Sequence, residues 1–179
     1  MICIVAVEDS SPLMLLQSAR TMFKAYGEFV RNSGNHPGFR FDRLDQEILE
    51  LPDAYSTRNG EVLLAMRLSE VVGCIAYRAV ATPANPRTCE IKRLFVLPEQ
   101  RGHGIGSSLV STCIDRARAK GYQVACLDTE PETMAAAHNT YLRLGFVEYE
   151  RRYSAMEGPM AFLKRPLCEL AEPGFSQDR

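Results

Sequence analysis

Hydrophobic and polar positions along the 179-residue chain follow two periods, and these periods predict its helices and strands. The β-branched residues from Ile2 to Val7 predict a first strand. Apolar residues at helical spacing after Pro12 predict a helix that ends before the segment "NSGNHPG", and a short second helix is expected over 42–50. The runs "VLLAMRL" and "VVGCIAYRAV", separated by Ser69 and Glu70, predict a β-hairpin.

The next predicted strand, "CEIKRLFVL", ends at Pro98. A strand alternates its side chains between the two faces of a sheet. Strict alternation therefore divides this strand into one face with Glu90, Lys92, Leu94 and Val96, and an opposite face with Ile91, Arg93 and Phe95.

The remaining chain predicts a helix, a strand, a second helix and two final strands. Apolar residues of "SSLVSTCIDRARAKGY" recur at helical spacing up to Gly121, and "QVACLDT" then predicts a strand. The segment "PETMAAAHNTYLRLGF" predicts a helix closed by Gly145, followed by the paired strands "VEYERRY" and "MAFLKRPL". This order favours one α/β layer domain with a mixed sheet over residues 1–170. Residues 171–179 are expected to form a mobile tail.

Composition excludes several classes of function. The formal net charge is −1, and no run of basic residues offers a footprint for nucleic acid. No window approaches the roughly 18 apolar residues of a membrane span. The six cysteines are scattered singly and lack the spacing of metal ligands, so we expect buried, reduced thiols, no metal and a cytoplasmic location.

The segment "QRGHGIG", from Gln100 to Gly106, connects a strand to a helix. The first amides of a helix are unpaired and carry partial positive charge. Glycines allow a ligand to approach these amides, and Arg101 adds a cation. Together these features predict a site for a phosphate or pyrophosphate, with the hydroxyls of Ser107 and Ser108 as further donors.

Two nucleotide-binding motifs fit this loop poorly. A mononucleotide loop requires Lys and then Ser or Thr after the last glycine, but Ser107 follows Gly106 directly. A dinucleotide fingerprint requires the spacing GxGxxG, whereas this chain has GxGxG. A glycine-rich turn without a ligand stays open at this point.

The longer segment "VLPEQRGHGIGSSLV" resembles the signature of the Gcn5-related N-acetyltransferase (GNAT) family, Gln/Arg-x-x-Gly-x-Gly/Ala. The preceding "CEIKRLFV" and the later "LDT" and "AAAHNTYLRLGF" are similar to other parts of the same family. The resemblance covers roughly residues 62–167. It implies a mostly antiparallel sheet flanked by helices, with central strands that splay apart.

The resemblance implies acetyl-coenzyme A as the acetyl donor. The pyrophosphate would lie on the loop, and the pantetheine arm would bond the exposed backbone of the preceding strand. The implied binding residues are Leu94, Phe95, Val96, Arg101, Gly102, His103, Gly104, Ile105, Gly106 and Ser107.

The implied reaction is direct transfer of the acetyl group to an amine. An alkyl amine has a pKa of about 10, so only about one in a thousand is neutral at pH 7. The site therefore needs a base, and it also needs an acid for the leaving thiolate. Glu90 is the candidate base, and an ion pair with Lys92 is its structural alternative. Tyr141 is the candidate acid, and packing of its ring in the core is the alternative.

The chain departs from the family pattern at one place. Many members have an asparagine about seven residues before the tyrosine, whereas this chain has Met134, and Asn139 is displaced. The acidic loop residues Glu130 and Glu132 slightly favour a cationic acceptor. His36 and His138 belong to no recognisable motif.

Three functions remain open. We expect transfer to the primary amine of a small molecule, because no added recognition domain is present. A protein acetyltransferase, for lysines or N-termini, and a non-catalytic module that binds acyl-coenzyme A are the alternatives. A homodimer is compatible with the sequence, which does not decide it.

Overall fold

The computed structural model describes residues 1–34, 36, 39–80, 87–150 and 160–168. The predicted order of strands and helices is present within these residues. In chain order the elements are β1 (Ile2–Val7), α1 (Leu13–Asn32), α2 (Phe41–Leu49), α3 (Asp53–Ser56), β2 (Glu61–Arg67), β3 (Glu70–Ala79), β4 (Thr88–Val96), a 3-10 turn (Pro98–Gln100), α4 (Ile105–Ala119), β5 (Val124–Thr129), α5 (Ala135–Arg143), β6 (Val147–Glu148) and β7 (Ala161–Pro166). The predicted tail and part of the final hairpin lie outside the described residues.

The strands form one seven-stranded sheet in the order β1-β2-β3-β4-β5-β7-β6. Every neighbouring pair is antiparallel except β4 and β5, which are parallel. A parallel pair requires a crossover connection, and α4 supplies it. The expectation of a mixed, mostly antiparallel sheet is therefore confirmed.

The two central strands separate soon after they meet. Strands β4 and β5 pair only at Thr88–Val124, Cys89–Ala125 and Glu90–Cys126. Strand β4 continues to Val96 without a partner on that side, so the sheet opens into a fork. The expected splay of the central strands is thus confirmed, and it leaves backbone groups of β4 exposed along one edge.

A β-bulge in β4 overturns the predicted alternation of its side chains. Cys74 of β3 pairs with Phe95 and Ala76 pairs with Lys92, so β4 has one residue more than β3 between these pairs. Arg93 has a φ of 61°. An extra residue shifts the phase of a strand by one position. Arg93 consequently lies on the same face as Lys92 and Phe95, and Leu94 lies on the opposite face.

Helices cover both faces of the sheet and create two cores. On one face α4 and α5 pack against inward residues of the sheet such as Leu63, Ile75 and Ile91. On the other face α1, α2 and α3 pack against Leu64 and Phe95. The result is a three-layer α/β arrangement in which both faces of the fork are covered.

The cysteines only partly follow the expectation from the sequence. All six are free thiols, and Cys74, Cys89 and Cys113 are buried. Cys3 and Cys168 are exposed, so the prediction of burial was wrong for these two. Each lies near an end of the described chain, where little structure is available to cover it. Among the described residues no helix has the length and apolar character needed to cross a membrane.

Gly73 allows β3 and β4 to approach each other next to the bulge. A Cβ at this position would lie 2.8 Å from the carbonyl oxygen of Phe95 and 3.2 Å from Leu109 Cδ1. We expect Gly73→Ala to lower the free energy of unfolding by about 1–3 kcal/mol, because the backbone must shift to admit the methyl group. Urea denaturation measures this change. Gly106→Ala is the matched control, since its Cβ would meet nothing closer than 3.9 Å. Equal stability of the two variants would contradict the expected clash.

Candidate functional site

The fork between β4 and β5 opens into a cavity of about 730 Å³. This volume is within the range of small-molecule and cofactor sites. We call it the fork cavity. Its lining is Phe29, Leu94, Phe95, Val96, Gln100, Arg101, Gly102, Gly104, Ile105, Gly106, Ser107, Thr133, Met134, Ala135, Ala136, Ala137, Asn139, Thr140 and Arg143. The structure thus brings together every binding residue that the sequence predicted, except His103.

The loop before α4 is shaped by two glycines with positive φ. Gly102 has a φ of 81°, and Gly104, which caps α4, has a φ of 74°. Nothing lies within 4 Å of a Cβ built at either position, so the requirement is conformational and not steric. The unpaired first amides of α4 belong to residues that line the fork cavity, so they are able to donate hydrogen bonds to an anion bound there.

Arg101 supports the loop with its side chain. Its Nε donates a hydrogen bond of 3.0 Å to the carbonyl oxygen of Val96. Its guanidinium lies 4.5 Å from the centroid of the Phe29 ring and 5.8 Å from that of Phe95. Arg101 therefore connects the loop to the end of β4 and to α1. His103 is exposed and its Nδ1 lies 3.0 Å from the carbonyl oxygen of Arg101.

The wall opposite β4 includes residues that the sequence did not assign. Asn139 and Arg143 of α5 line the fork cavity, together with Thr133 and Met134 just before the helix. Asn139 reaches the cavity although it is displaced from the asparagine position of the family pattern. Its polar character on the amphipathic α5 was the available signal, but the sequence alone did not show which side of α5 faces the fork.

A second cavity of about 170 Å³ lies on the face of the sheet that α1 and α2 cover. We call it the helix-side cavity. Its lining is Tyr26, Val30, His36, Phe39, Arg40, Arg43, Glu47, Arg78, Ile91, Lys92, Arg93, Asp128, Thr129, Glu130, Met134 and Met160. Met134 lines both cavities, so the two approach each other at this side chain.

A buried carboxylate organises the helix-side cavity. Glu47 Oε2 accepts hydrogen bonds of 2.9 Å from Arg93 Nε and from the Tyr55 hydroxyl, and Arg78 Nη1 lies 3.4 Å from Oε1. Burial acts to raise the pKa of Glu47, but the charge of Arg93 and the hydrogen bonds from Arg93 and Tyr55 outweigh it. The pKa of Glu47 therefore lies below its usual value, and the carboxylate is ionised at neutral pH.

Arg93 combines an unusual backbone with a buried charge. Its φ of 61° is uncommon for a residue other than glycine. Its guanidinium carbon lies 5.6 Å from the ring centroid of Tyr26 and 5.4 Å from that of Phe39. Sequence reasoning missed both Arg93 and Glu47, because they are 46 positions apart and no local motif marks either one.

A buried histidine and glutamate form a second polar contact in the helix-side cavity. His36 Nδ1 lies 2.6 Å from Glu130 Oε2, and both residues are 8% exposed. His36 Nε2 lies 3.1 Å from Ser33 Oγ, and Thr133 Oγ1 donates a hydrogen bond of 2.9 Å to Glu130 Oε2. Glu130 thus connects the segment after α1 to the segment before α5.

The two predicted catalytic residues line neither of these cavities. Glu90 Oε2 lies 3.4 Å from Lys92 Nζ and 3.7 Å from Arg78 Nε. Tyr141 is 5% exposed and packs its ring against Phe146 at a centroid distance of 5.5 Å. Burial raises the pKa of Tyr141 well above its usual value, so its hydroxyl stays protonated.

The described residues contain no group of three or more His, Cys, Asp or Glu side chains that could hold a metal ion.

Comparison with known proteins agrees with this architecture. The model of the acetyltransferase (GNAT) family matches residues 24–146. An uncharacterised N-acetyltransferase of Schizosaccharomyces pombe is 32% identical over 114 residues, which are 63% of this chain and 68% of the relative. The aminoalkylphosphonate N-acetyltransferase of Salmonella typhimurium is 29% identical over 153 residues, which are 82% of this chain and 94% of the relative. Two other curated relatives are matched over only 51% and 38% of their own lengths.

The fold itself has solved counterparts. The yncA structure from Salmonella typhimurium, solved with its cofactor acetyl-CoA, superposes with a TM-score of 0.67 at 19% identity over 96% of this chain and 97% of that one. The family match and the N-acetyltransferase relatives define the class as an acyltransferase. The chain belongs to the acetyltransferase (GNAT) family.

The Glu47 contacts yield a stability prediction. We expect Glu47→Gln to lower the free energy of unfolding by about 3 kcal/mol at pH 7, because it leaves the buried Arg93 without its counter-ion. The folded pKa of Glu47 is lowered, so its contribution is present above the unfolded pKa and is lost as pH falls through the folded value. The difference between the variant and the wild type should therefore shrink below about pH 4.

Urea denaturation at several pH values measures this difference. Asp115→Asn is the control, since it breaks an exposed ion pair with Arg118 and should change stability far less. A Glu47→Gln variant as stable as the control at pH 7 would show that Arg93 does not depend on this carboxylate.

Proposed function

We propose that this protein transfers an acetyl group from acetyl-CoA to the primary amine of a small molecule by direct attack. The arrangement that carries the proposal is the pair of cavities that approach each other at Met134 from opposite sides of the fork. One cavity can hold the donor and the other the acceptor, so that the thioester and the amine meet within the fork.

The fork cavity suits acetyl-CoA because it combines an anion site at the start of α4 with the unpaired backbone edge of β4. The amides of Gly102 to Ser107 offer an anion site for the pyrophosphate at the start of α4, whereas the Arg101 amide already donates to the carbonyl of Pro98. The unpaired edge of β4 from Leu94 to Val96 offers backbone groups to the amides of the pantetheine arm. The carbonyl of Val96 already accepts a hydrogen bond from Arg101 Nε, so a pantetheine amide that bonds this carbonyl must share or replace that contact.

The helix-side cavity suits a small acceptor. Its volume of about 170 Å³ is under a quarter of the 730 Å³ of the fork cavity, and an acceptor that fits within it must be small. The relative from Salmonella typhimurium whose name gives aminoalkylphosphonates as substrate is matched over 94% of its length, which supports a small amine as acceptor. Protein acetylation is the alternative, and it would require a groove open to a polypeptide.

Glu90 is the proposed base. Its carboxylate lies close to Lys92 and Arg78, which both line the helix-side cavity, so it can accept a proton from the amine through an intervening water. The same contacts support the structural alternative, in which Glu90 only neutralises the two cations.

Tyr141 is the proposed acid for the leaving thiolate. Its pKa is raised by burial first and also by the neighbouring Tyr26, Cys113 and Asp128, so the phenol keeps its proton at neutral pH. A buried phenol of this kind can donate to a developing thiolate. The domain of residues 1–170, the cytoplasmic location and the homodimer stay predictions.

Calorimetric titration with acetyl-CoA tests the donor site. We expect micromolar binding to the wild type and strong loss of affinity in Arg101→Ala and Gly104→Val. The first variant frees the loop from β4, and the second places a β-branched residue at a φ of 74°. Gly121→Val is the matched control, because Gly121 also has a positive φ, 87°, with nothing within 4 Å of its Cβ, and lines neither cavity. Absence of binding by the wild type would require withdrawal of the transferase proposal.

Steady-state kinetics tests the two catalytic residues. We expect Tyr141→Phe to lower kcat by about 100-fold with little change in acetyl-CoA affinity, because only the proton donor is removed. Glu90→Gln should lower the rate and alter its pH profile. Tyr122→Phe is the control, since this tyrosine donates a hydrogen bond to Asn59 and lines neither cavity. Full turnover in Tyr141→Phe, or an unchanged pH profile in Glu90→Gln, would remove that residue from the mechanism.

A further inference from the structure

We propose that the acceptor is a zwitterion: a small amine that also carries an acid group, held by Asp128 at its ammonium and by Arg43 at its acid. The inference rests on the proposed function and deepens it by naming the chemical class of the acceptor. It comes from the pairing of the charged side chains that line the helix-side cavity.

Most of these charged side chains already have an ion-pair partner within the protein. Glu47 is paired with Arg93 and Arg78, at 2.9 and 3.4 Å. Lys92 is paired with Glu90 at 3.4 Å. These groups shape the wall of the cavity, and each of the three cations already has a carboxylate partner within the protein.

The two remaining pairs also involve residues that line the cavity. Glu130 is held by His36 at 2.6 Å, and the exposed Arg40 is paired with Asp42 at 2.7 Å. The carboxylate of Glu130 therefore already has two partners within the protein, His36 and the Thr133 hydroxyl. A charged ligand must find its partners among the side chains that are still unpaired.

Two charged groups of opposite sign are left over. Within the described part of the chain, Asp128 and Arg43 line the helix-side cavity and have no ion-pair partner. Asp128 is half-buried on β5, at the open side of the fork, where its charge also raises the pKa of the buried Tyr141. Arg43 lies in the first turn of α2 and is exposed, so it stands at the solvent side of the same cavity.

A carboxylate near the fork and a guanidinium on the solvent side match an amine that carries an acid group at its other end. The amine arrives as an ammonium ion, because its pKa is about 10, and it would be stabilised by the carboxylate of Asp128 beside the proposed acid Tyr141. The guanidinium of Arg43 can bind a carboxylate or phosphonate with two parallel hydrogen bonds. An acceptor with only positive charge would leave Arg43 unpaired and would be repelled by its guanidinium.

Matched acceptors test the inference directly. The probes are 3-aminopropionate with propylamine, and 2-aminoethylphosphonate with ethanolamine, each pair differing in the acid group. We expect the wild type to acetylate the acid-bearing member with a kcat/KM at least about 10-fold higher. In Arg43→Gln the ratio of the two kcat/KM values should fall about 10-fold, mainly through KM of the acid-bearing amine, and Arg43→Lys should restore part of it.

Two further variants separate the roles of the charges. Asp128→Asn should raise KM for both members of each pair, because both carry the ammonium group. Arg58→Gln removes an exposed arginine that lines neither cavity and should leave the ratio unchanged. Equal use of both members by the wild type, or an equal loss for both in Arg43→Gln, would overturn the inference.

The acetyl-CoA titration distinguishes this failure from failure of the proposed function. Acetyl-CoA binding together with equal transfer to amines with and without the acid group would keep the transferase and remove the zwitterion. Binding of acetyl-CoA without transfer to any of the four amines would also overturn the inference. Absence of acetyl-CoA binding would remove both.

Discussion

The separation of β4 from β5 after Glu90 is the constraint on which the site depends. Backbone groups of a central strand are normally paired on both sides, because an unpaired buried amide or carbonyl is costly. Here β4 remains paired with β3 on one side as far as Val96, so the strand keeps its place in the sheet while its other edge stays open. The unpaired backbone groups of this edge are tolerated because they face a cavity and not the apolar core.

The bulge at Arg93 and the carboxylate of Glu47 belong to the same arrangement. A left-handed backbone at a residue other than glycine is unfavourable unless neighbouring contacts hold it. Arg93 makes such contacts with Glu47 and with the rings of Tyr26 and Phe39. The ion pair attaches α2 to β4 directly below the fork, and the phase shift of the bulge turns Leu94 towards the fork cavity. Buried charge and strand geometry therefore position the same stretch of backbone.

The loop of the fork cavity could be predicted from the sequence because the residues that form it are contiguous. Gly102, Gly104 and the start of α4 form one loop, and a strand, a glycine loop and a helix in succession have a limited set of geometries. The charges of the helix-side cavity could not be predicted in this way. Its charges come from α2, β3, β4 and β5, and their pairing decides which of them a ligand meets. Glu130 shows the difference, since an acidic loop residue proved to be the partner of the buried His36.

The sequence by itself determined the order of helices and strands, the mixed sheet, the anion loop and the resemblance to the family, because hydrophobic period and turn chemistry act over neighbouring residues. Only the tertiary structure decided the phase of β4, the ion pair of Glu47 with Arg93, and the two charges left unpaired in the helix-side cavity. A register shift depends on the partner strand, and the balance of a charge depends on every element packed around it. Neither is encoded in a local stretch of residues.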